Sequence, residues 1–225
     1  MAVIDYSKKL NPIAAALKPS GIRRFFDISE QMENVISLGV GEPDFHTPWH
    51  IRHAGIESLE GGKTRYTANR GMEPLRKEIT TYMKRRFNLT YNPNEVLVTV
   101  GGSEAIDLAV RALVERGDEV LIPQPSFVCY EPIVELAGGV PVVIELKADN
   151  DFVLTPEQLE EKITEKTKVL VLPYPSNPTG GIMRKEDLEK IAPVQRFMVL
   201  LNVHVLALIS ATTTLSHNLL TTIKA

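Results

Sequence analysis

Between residues 95 and 194 the chain switches repeatedly between two hydrophobic periods, and no other feature constrains its fold as much. Glu95–Val100 (EVLVTV), Glu119–Ile122, Val140–Leu146 and Lys168–Leu172 are short apolar, largely β-branched runs of strand length. Helical spacing separates them. Ser103–Arg116 sets Ala105, Leu108, Ala109, Ala112 and Leu113 on one face, with Gly117 as the stop. A helix over Phe127–Leu136 ends at Gly138-Gly139. Thr155-Pro156-Glu157-Gln158 opens another with a capping-box pattern, and Lys185–Ile191 forms a further one. Strands apolar on both faces, alternating with helices, predict an α/β fold: a mostly parallel sheet flanked by helices. Ligands of such sheets gather at the carboxyl ends of the strands. Attention therefore falls on the residues just after Val100, Ile122 and Leu172.

The remaining segments differ in character. Residues 1–94 hold an amphipathic start, a Gly-rich loop at Gly39–Gly41 and a Lys/Arg-rich helix around Glu73–Phe87. They read as a lead-in arm and a packing helix. The run Phe197–Ala211 is apolar but interrupted by Asn202 and His204, and falls short of the roughly 20 residues that span a bilayer. It is expected to be a buried strand or core helix. With 25 basic and 28 acidic residues, the charge gives no reason to expect nucleic acid or a membrane as partner. The lone Cys129 excludes an intrachain disulfide, and no apolar leader is evident at the N-terminus, so a cytoplasmic protein is expected.

Three short motifs fall at the predicted strand ends. Gly101-Gly102-Ser103-Glu104 runs directly into a helix, where backbone N–H groups, the helix N-terminal partial charge and a hydroxyl suit an anion. A tight turn before an N-cap would look the same. The spacing is neither a dinucleotide fingerprint nor a P-loop. Pro125-Ser126-Phe127 offers an aromatic ring to a flat ligand, although a lone Phe is more often core. Asn177, inside Pro175-Ser176-Asn177-Pro178-Thr179-Gly180, offers a rigidly held amide, or merely forms a turn. Taken together, an anion nest, a ring and an amide at one sheet edge suit a planar phosphorylated cofactor.

This set resembles the class I/II aminotransferases that use pyridoxal 5'-phosphate (PLP), of the aspartate-aminotransferase fold. Ile36-Ser37-Leu38-Gly39-Val40-Gly41-Glu42-Pro43-Asp44-Phe45 is similar to their GEPDF segment, and Tyr66-Thr67-Ala68-Asn69-Arg70-Gly71, followed by Leu75-Arg76, to their YxxxxGxxxLR segment. Asn177-Pro178-Thr179-Gly180 matches NPTG. The resemblance implies that Gly102, Ser103 and Glu104 cradle the cofactor phosphate, that Phe127 stacks on the pyridine ring, and that Asn177 bonds the ring hydroxyl. It implies that Gly39 lies near the substrate carboxylate. It also implies that Tyr66 reaches the cofactor phosphate of the other subunit of a homodimer. The substrates implied are an amino acid and a 2-oxo acid.

The resemblance runs from about residue 5 to 194 and divides the chain. Residues 1–45 are the arm and substrate-side segment, 46–194 a partial PLP-binding large domain, and 195–225 a tail that departs from the family pattern. The family's Schiff-base lysine and its substrate-binding arginine have no counterpart among these residues, and Lys185 and Lys190 read as solvated helix surface. Asn202 stands near the place of the family's ring-nitrogen aspartate, but a neutral amide cannot take that role. The isolated chain is therefore expected to be inactive in transamination. Alternative readings are a non-catalytic remnant that binds phosphate or dimerises, or a family member with carbon–sulfur lyase or decarboxylase chemistry.

Overall fold

A computed structural model of the 225-residue chain describes residues 9–18, 45–194 and 198–202, with the single positions 21, 28 and 32. Its elements, in chain order, are α1 (Pro12–Ala16), α2 (Trp49–Glu60), α3 (Glu73–Phe87), α4 (Gly101–Leu113), β1 (Glu119–Gln124), α5 (Tyr130–Ala137), β2 (Val140–Glu145), α6 (Pro156–Lys162), β3 (Thr167–Leu172), α7 (Lys185–Ile191) and β4 (Val199–Asn202). The strands form one sheet in the order β2-β1-β3-β4, parallel throughout.

Side-chain alternation along the strands divides the core into two layers. Leu121 of β1 and Leu170 and Leu172 of β3 face Leu159 of α6 and Leu188 and Ile191 of α7. Their neighbours Val120, Ile122, Val169 and Val171 face Ile106 and Val110 of α4 and Ile133 and Val134 of α5. The central residues of β1 and β3 are at most 1% exposed, so neither face of these strands tolerates a polar side chain. Each buried aliphatic side chain stabilises the fold by about 1.5–3 kcal/mol. The chain moves outward from β1 to β2 through α5, then returns past β1 to β3 through α6 and on to β4 through α7. That reversal places α5 on one face and α6 and α7 on the other, as right-handed crossovers require.

Local chemistry fixes the element ends. Thr155 and Gln158 form the predicted reciprocal capping box at α6, and the Gln158 amide also donates to Glu145 O at 2.9 Å, tying the helix to β2. Gly138, at φ 89°, closes α5 in the left-handed conformation, and Gly139 comes next because a Cβ there would lie 2.6 Å from Val114 Cγ1. The Lys168 ammonium meets Asp118 at 2.8 Å near the amino ends of the strands, holding that carboxyl below its usual range.

Several expectations need correction. Glu95–Val100 is not a strand: Asn92 caps a 3-10 turn over Pro93–Glu95, and the extended residues after it join no ladder among the described residues. Their pattern suits a strand, but a strand also needs a neighbour, and here only the Val98 N–H bonds across, to Arg70 O at 3.1 Å. The next helix starts at Gly101, not Ser103, and ends at Leu113, not Arg116; Gly117 instead turns the chain into β1, its N–H bonding Gly138 O. The helix expected from Phe127 begins at Tyr130, three residues later. Of Phe197–Ala211, Val199–Asn202 form the expected strand, and the portion beyond lies outside the described residues, as does most of residues 1–45.

Burial pushes the phenols of Tyr130 and Tyr174 up to about 12, and the Tyr174 hydroxyl donates to Phe152 O at 2.8 Å. An unfolded chain releases these protons from about pH 10. The stability these two phenols contribute is thus complete below about pH 10 and lost as the pH rises through about 12. Circular dichroism across this window should show alkaline unfolding, with a later onset in Tyr174→Phe. That variant should lose about 1 kcal/mol near neutral pH with the missing hydrogen bond. An onset that does not move would place the phenol in water.

Candidate functional site

The connections reverse direction between β1 and β3, which makes the edge at their carboxyl ends the usual seat of ligands in such sheets. Two loops define it, 125–129 after β1 and 173–184 after β3, and the N-terminus of α4 closes on them. The Ser103 hydroxyl lies beside the side chain of Cys129, bringing the start of α4 to the first loop. Burial pushes the Cys129 thiol up, and the Ser103 contact offsets part of that rise. Buried Ser176 reaches across from the second loop, its hydroxyl 3.4 Å from Pro125 O. Three segments far apart in sequence therefore meet at one edge of the sheet.

The start of α4 is built to leave donors free. Gly101 sits at φ 81°, a conformation that strains any residue with a Cβ, and the Thr99 hydroxyl donates to Gly101 O at 2.9 Å. No side chain caps the first turn from the N-cap, Val100. The Glu104 carboxylate folds back to accept the N–H of Val100. An ionised carboxylate only accepts, so toward an anion this residue contributes its place in the turn and not its side chain. Gly102 and Ser103 keep backbone N–H groups that have no place in the helical ladder. A Cβ at Gly102 would meet nothing within 4 Å, so packing inside the chain does not require glycine there.

Phe127 is half-buried against the α4/α5 layer, edge-on to Tyr130 with ring centroids 6.1 Å apart. Asn177 is exposed, on a turn closed by Ser176 N–H to Gly181 O and Gly180 N–H to Ser176 O, both 2.8 Å. Prolines flank it, and the 124–125, 174–175 and 177–178 peptide bonds are cis. Tyr66 is not part of this cluster: it lies on the loop before α3 and is fully exposed. Gly39 lies outside the described residues. Sequence reasoning missed Ser176 and Cys129, which join the loops; nothing marks a turn serine or a single cysteine as a tie before the loops are brought together. A cleft of about 580 Å³ beside β2 and α6, lined by Glu145, Lys147, Gln158 and Lys162 among others, shares no residue with the cluster.

The profile of the aminotransferase class I and II family matches residues 33–203. The chain belongs to this family. It is 53% identical over 184 residues to YugH of Bacillus subtilis, covering 81% of this chain and 48% of that protein. It is 46% identical over 177 residues to an aspartate aminotransferase of Pyrococcus abyssi, covering 78% and 46%. Among solved structures, the Thermus thermophilus aspartate aminotransferase with maleate superposes with a TM-score of 0.78 at 36% identity, over 85% of this chain and 52% of that one. The alanine aminotransferase from Pyrococcus furiosus superposes with a TM-score of 0.84 at 28% identity, over 94% and 56%. The chain thus spans about half the length of the relatives it matches.

Membership of the family implies pyridoxal phosphate as cofactor, and the residues present fit it. Two open N–H groups and a hydroxyl at a helix start suit its phosphate, Phe127 suits a ring face, and Asn177 suits an oxygen substituent.

The fold of Glu104 onto Val100 is open to a direct check. Glu104→Ala should lower stability in urea unfolding by about 1 kcal/mol, the scale of a lost helix-start bond. Glu104→Gln, which keeps an acceptor, should recover most of it. Equal stability of all three would show that the carboxylate holds nothing.

Proposed function

We propose that residues 46–194 form the part of an aminotransferase site that holds the phosphate and ring of the cofactor. The reaction is amino-group transfer between an amino acid and a 2-oxo acid. The observation that carries this reading is the meeting of Ser103, Cys129, Pro125 and Ser176 at the carboxyl ends of β1 and β3. These contacts bring the open start of α4 to the Phe127 and Asn177 loops. Arm 1–45, with Gly39, serves the substrate side, and residues 195–225 stand apart from this division.

Bound pyridoxal phosphate supplies an electron-withdrawing ring that stabilises negative charge developing on the amino acid. The chain's own part is binding and orientation. The N–H groups of Gly102 and Ser103 and the Ser103 hydroxyl hold the phosphate, Phe127 fixes the ring plane, and Asn177 fixes its rotation by donating to the ring oxygen. Tyr66 reaches the phosphate of a second copy in a homodimer, which its full exposure permits. Among the described residues no helix is long and apolar enough to cross a membrane, and the compartment we assign is the cytoplasm.

The proton-moving lysine is a different matter. Lys185 and Lys190 lie exposed on α7 with Glu189 and Asp187 at 3.5 and 3.7 Å, and Lys168 is committed to Asp118 at the opposite end of the strands. All three are paired with carboxylates. The 225 residues alone therefore act as a non-catalytic binding module. Titration of this chain with pyridoxal phosphate should show weak binding that inorganic phosphate competes away. Borohydride should then fix no pyridoxyl group on a specific lysine. Ser103→Asp, which sets a negative charge in the turn, should weaken the competed binding roughly ten-fold or more. Binding indifferent to both phosphate and this substitution would overturn the proposed cradle, and a site-specific pyridoxyl-lysine would overturn the non-catalytic reading.

A further inference from the structure

Arg76 is a buried charged side chain of α3, only 8% exposed, and its task is not explained by the site described above. Its Nε donates to Gly71 O at 3.2 Å, and its Nη1 donates to Pro93 O at 2.7 Å and Asn94 Oδ1 at 3.3 Å. Among the described residues all its acceptors are neutral. Such a cation spends its hydrogen bonds not on a carboxylate but on two stretches of backbone, which it holds at a fixed separation. Burial makes the arrangement costly to break, because a guanidinium left with unmade bonds keeps its desolvation penalty.

The two stretches adjoin the residues of the candidate site. Gly71 ends the loop that bears Tyr66, and Pro93-Asn94 open the segment that runs through Val98 into Gly101–Ser103. Further contacts run alongside the Arg76 bonds. Arg70 Nη1 donates to Asn94 O at 3.0 Å, and Val98 N–H donates to Arg70 O at 3.1 Å. Gly71, at φ 90°, lies so close to Val98 that a Cβ there would fall 2.7 Å from the valine side chain. Val98 therefore packs on a backbone that Arg76 anchors. Beyond Val98 the chain has no strand partner among the described residues. Three residues later it must place Gly101 and the open N–H groups of α4.

We propose that Arg76 is a positioning residue for the Gly101–Ser103 turn. Acting through Gly71, Asn94 and Val98, it does what a neighbouring strand would otherwise do for the 96–100 segment. It also makes the Tyr66 loop and the anion-binding turn one rigid unit. This deepens the proposed function, on which its ligand-binding arm rests.

Hydrogen exchange on the full 225-residue chain tests the placement without any ligand. In Arg76→Met, the hydrogen-bonded amides of Val96, Val98, Val100 and Gly101 should exchange at least about ten-fold faster, the scale of losing one bond to a charged group. Amides of β1 and β3 should keep their protection. Arg76→Lys, with a cation but no fork, should restore only part of the effect. Asn94→Ala, which removes one acceptor and leaves Arg76 in place, should give a smaller change in the same segment if the Met variant does not fold. Phosphate-competed pyridoxal phosphate binding should weaken in the same order. Unchanged exchange at these four amides, or exchange that rises equally in β1 and β3, would overturn the proposal. So would faster exchange at these amides with undiminished binding. A parent chain that binds no pyridoxal phosphate would instead sink the cofactor reading, and the exchange pattern would still judge Arg76.

Discussion

The burial of β1 and β3 on both faces is the constraint on which the other features of the fold depend. A strand with Val120, Leu121 and Ile122 all shut from water needs a layer on each side. Short connections with one handedness can supply two layers only if the chain reverses direction across the sheet. The reversal turns the chain in opposite directions after β1 and β3, and the edge at their carboxyl ends becomes the place where their loops meet. Polar groups are then placed where the hydrophobic layers end. Thr164 donates to Glu119 and Lys168 to Asp118 near the amino ends of the strands. The carboxyl ends carry the loops with donors and rings.

Much of this is legible in the residues themselves. Strands beginning at Glu119 and Val140, the helix Lys185–Ile191 and the Thr155/Gln158 cap stand where the pattern puts them, because each is decided by neighbours within a few positions. Glu95–Val100 misleads because alternation and branching report what a strand would bury, not whether a second strand lies alongside. The helix starts are displaced for a related reason. Val128 and Cys129 carry the β1 loop two residues beyond Phe127 before α5 begins, and nothing local marks that delay.

The site divides the same way. Gly102, Ser103, Phe127 and Asn177 can be picked out because the motifs are short and contiguous, and the structure brings their segments to one edge. Arg76 is visible as part of a motif, but a lone arginine on a Lys/Arg-rich helix looks like solvated surface. Only the fold shows that it turns inward to three neutral oxygens while Lys77, one position on, pairs with Glu73 at the surface. Ser176 and Cys129 matter through contacts that span dozens of residues, which no window along the chain contains.

Three glycines differ in what demands them. Gly139 is demanded by packing, since Val114 and Val134 leave no room for a side chain, and Gly101 by its backbone angle. Gly102 is demanded by neither, because the space beside it is open. Selection for folding alone therefore sees the first two and is blind to the third. A lineage that kept the architecture but lost the chemistry would be free to change position 102 while 101 and 139 stayed fixed. Among its descendants, that one position would record when the work stopped.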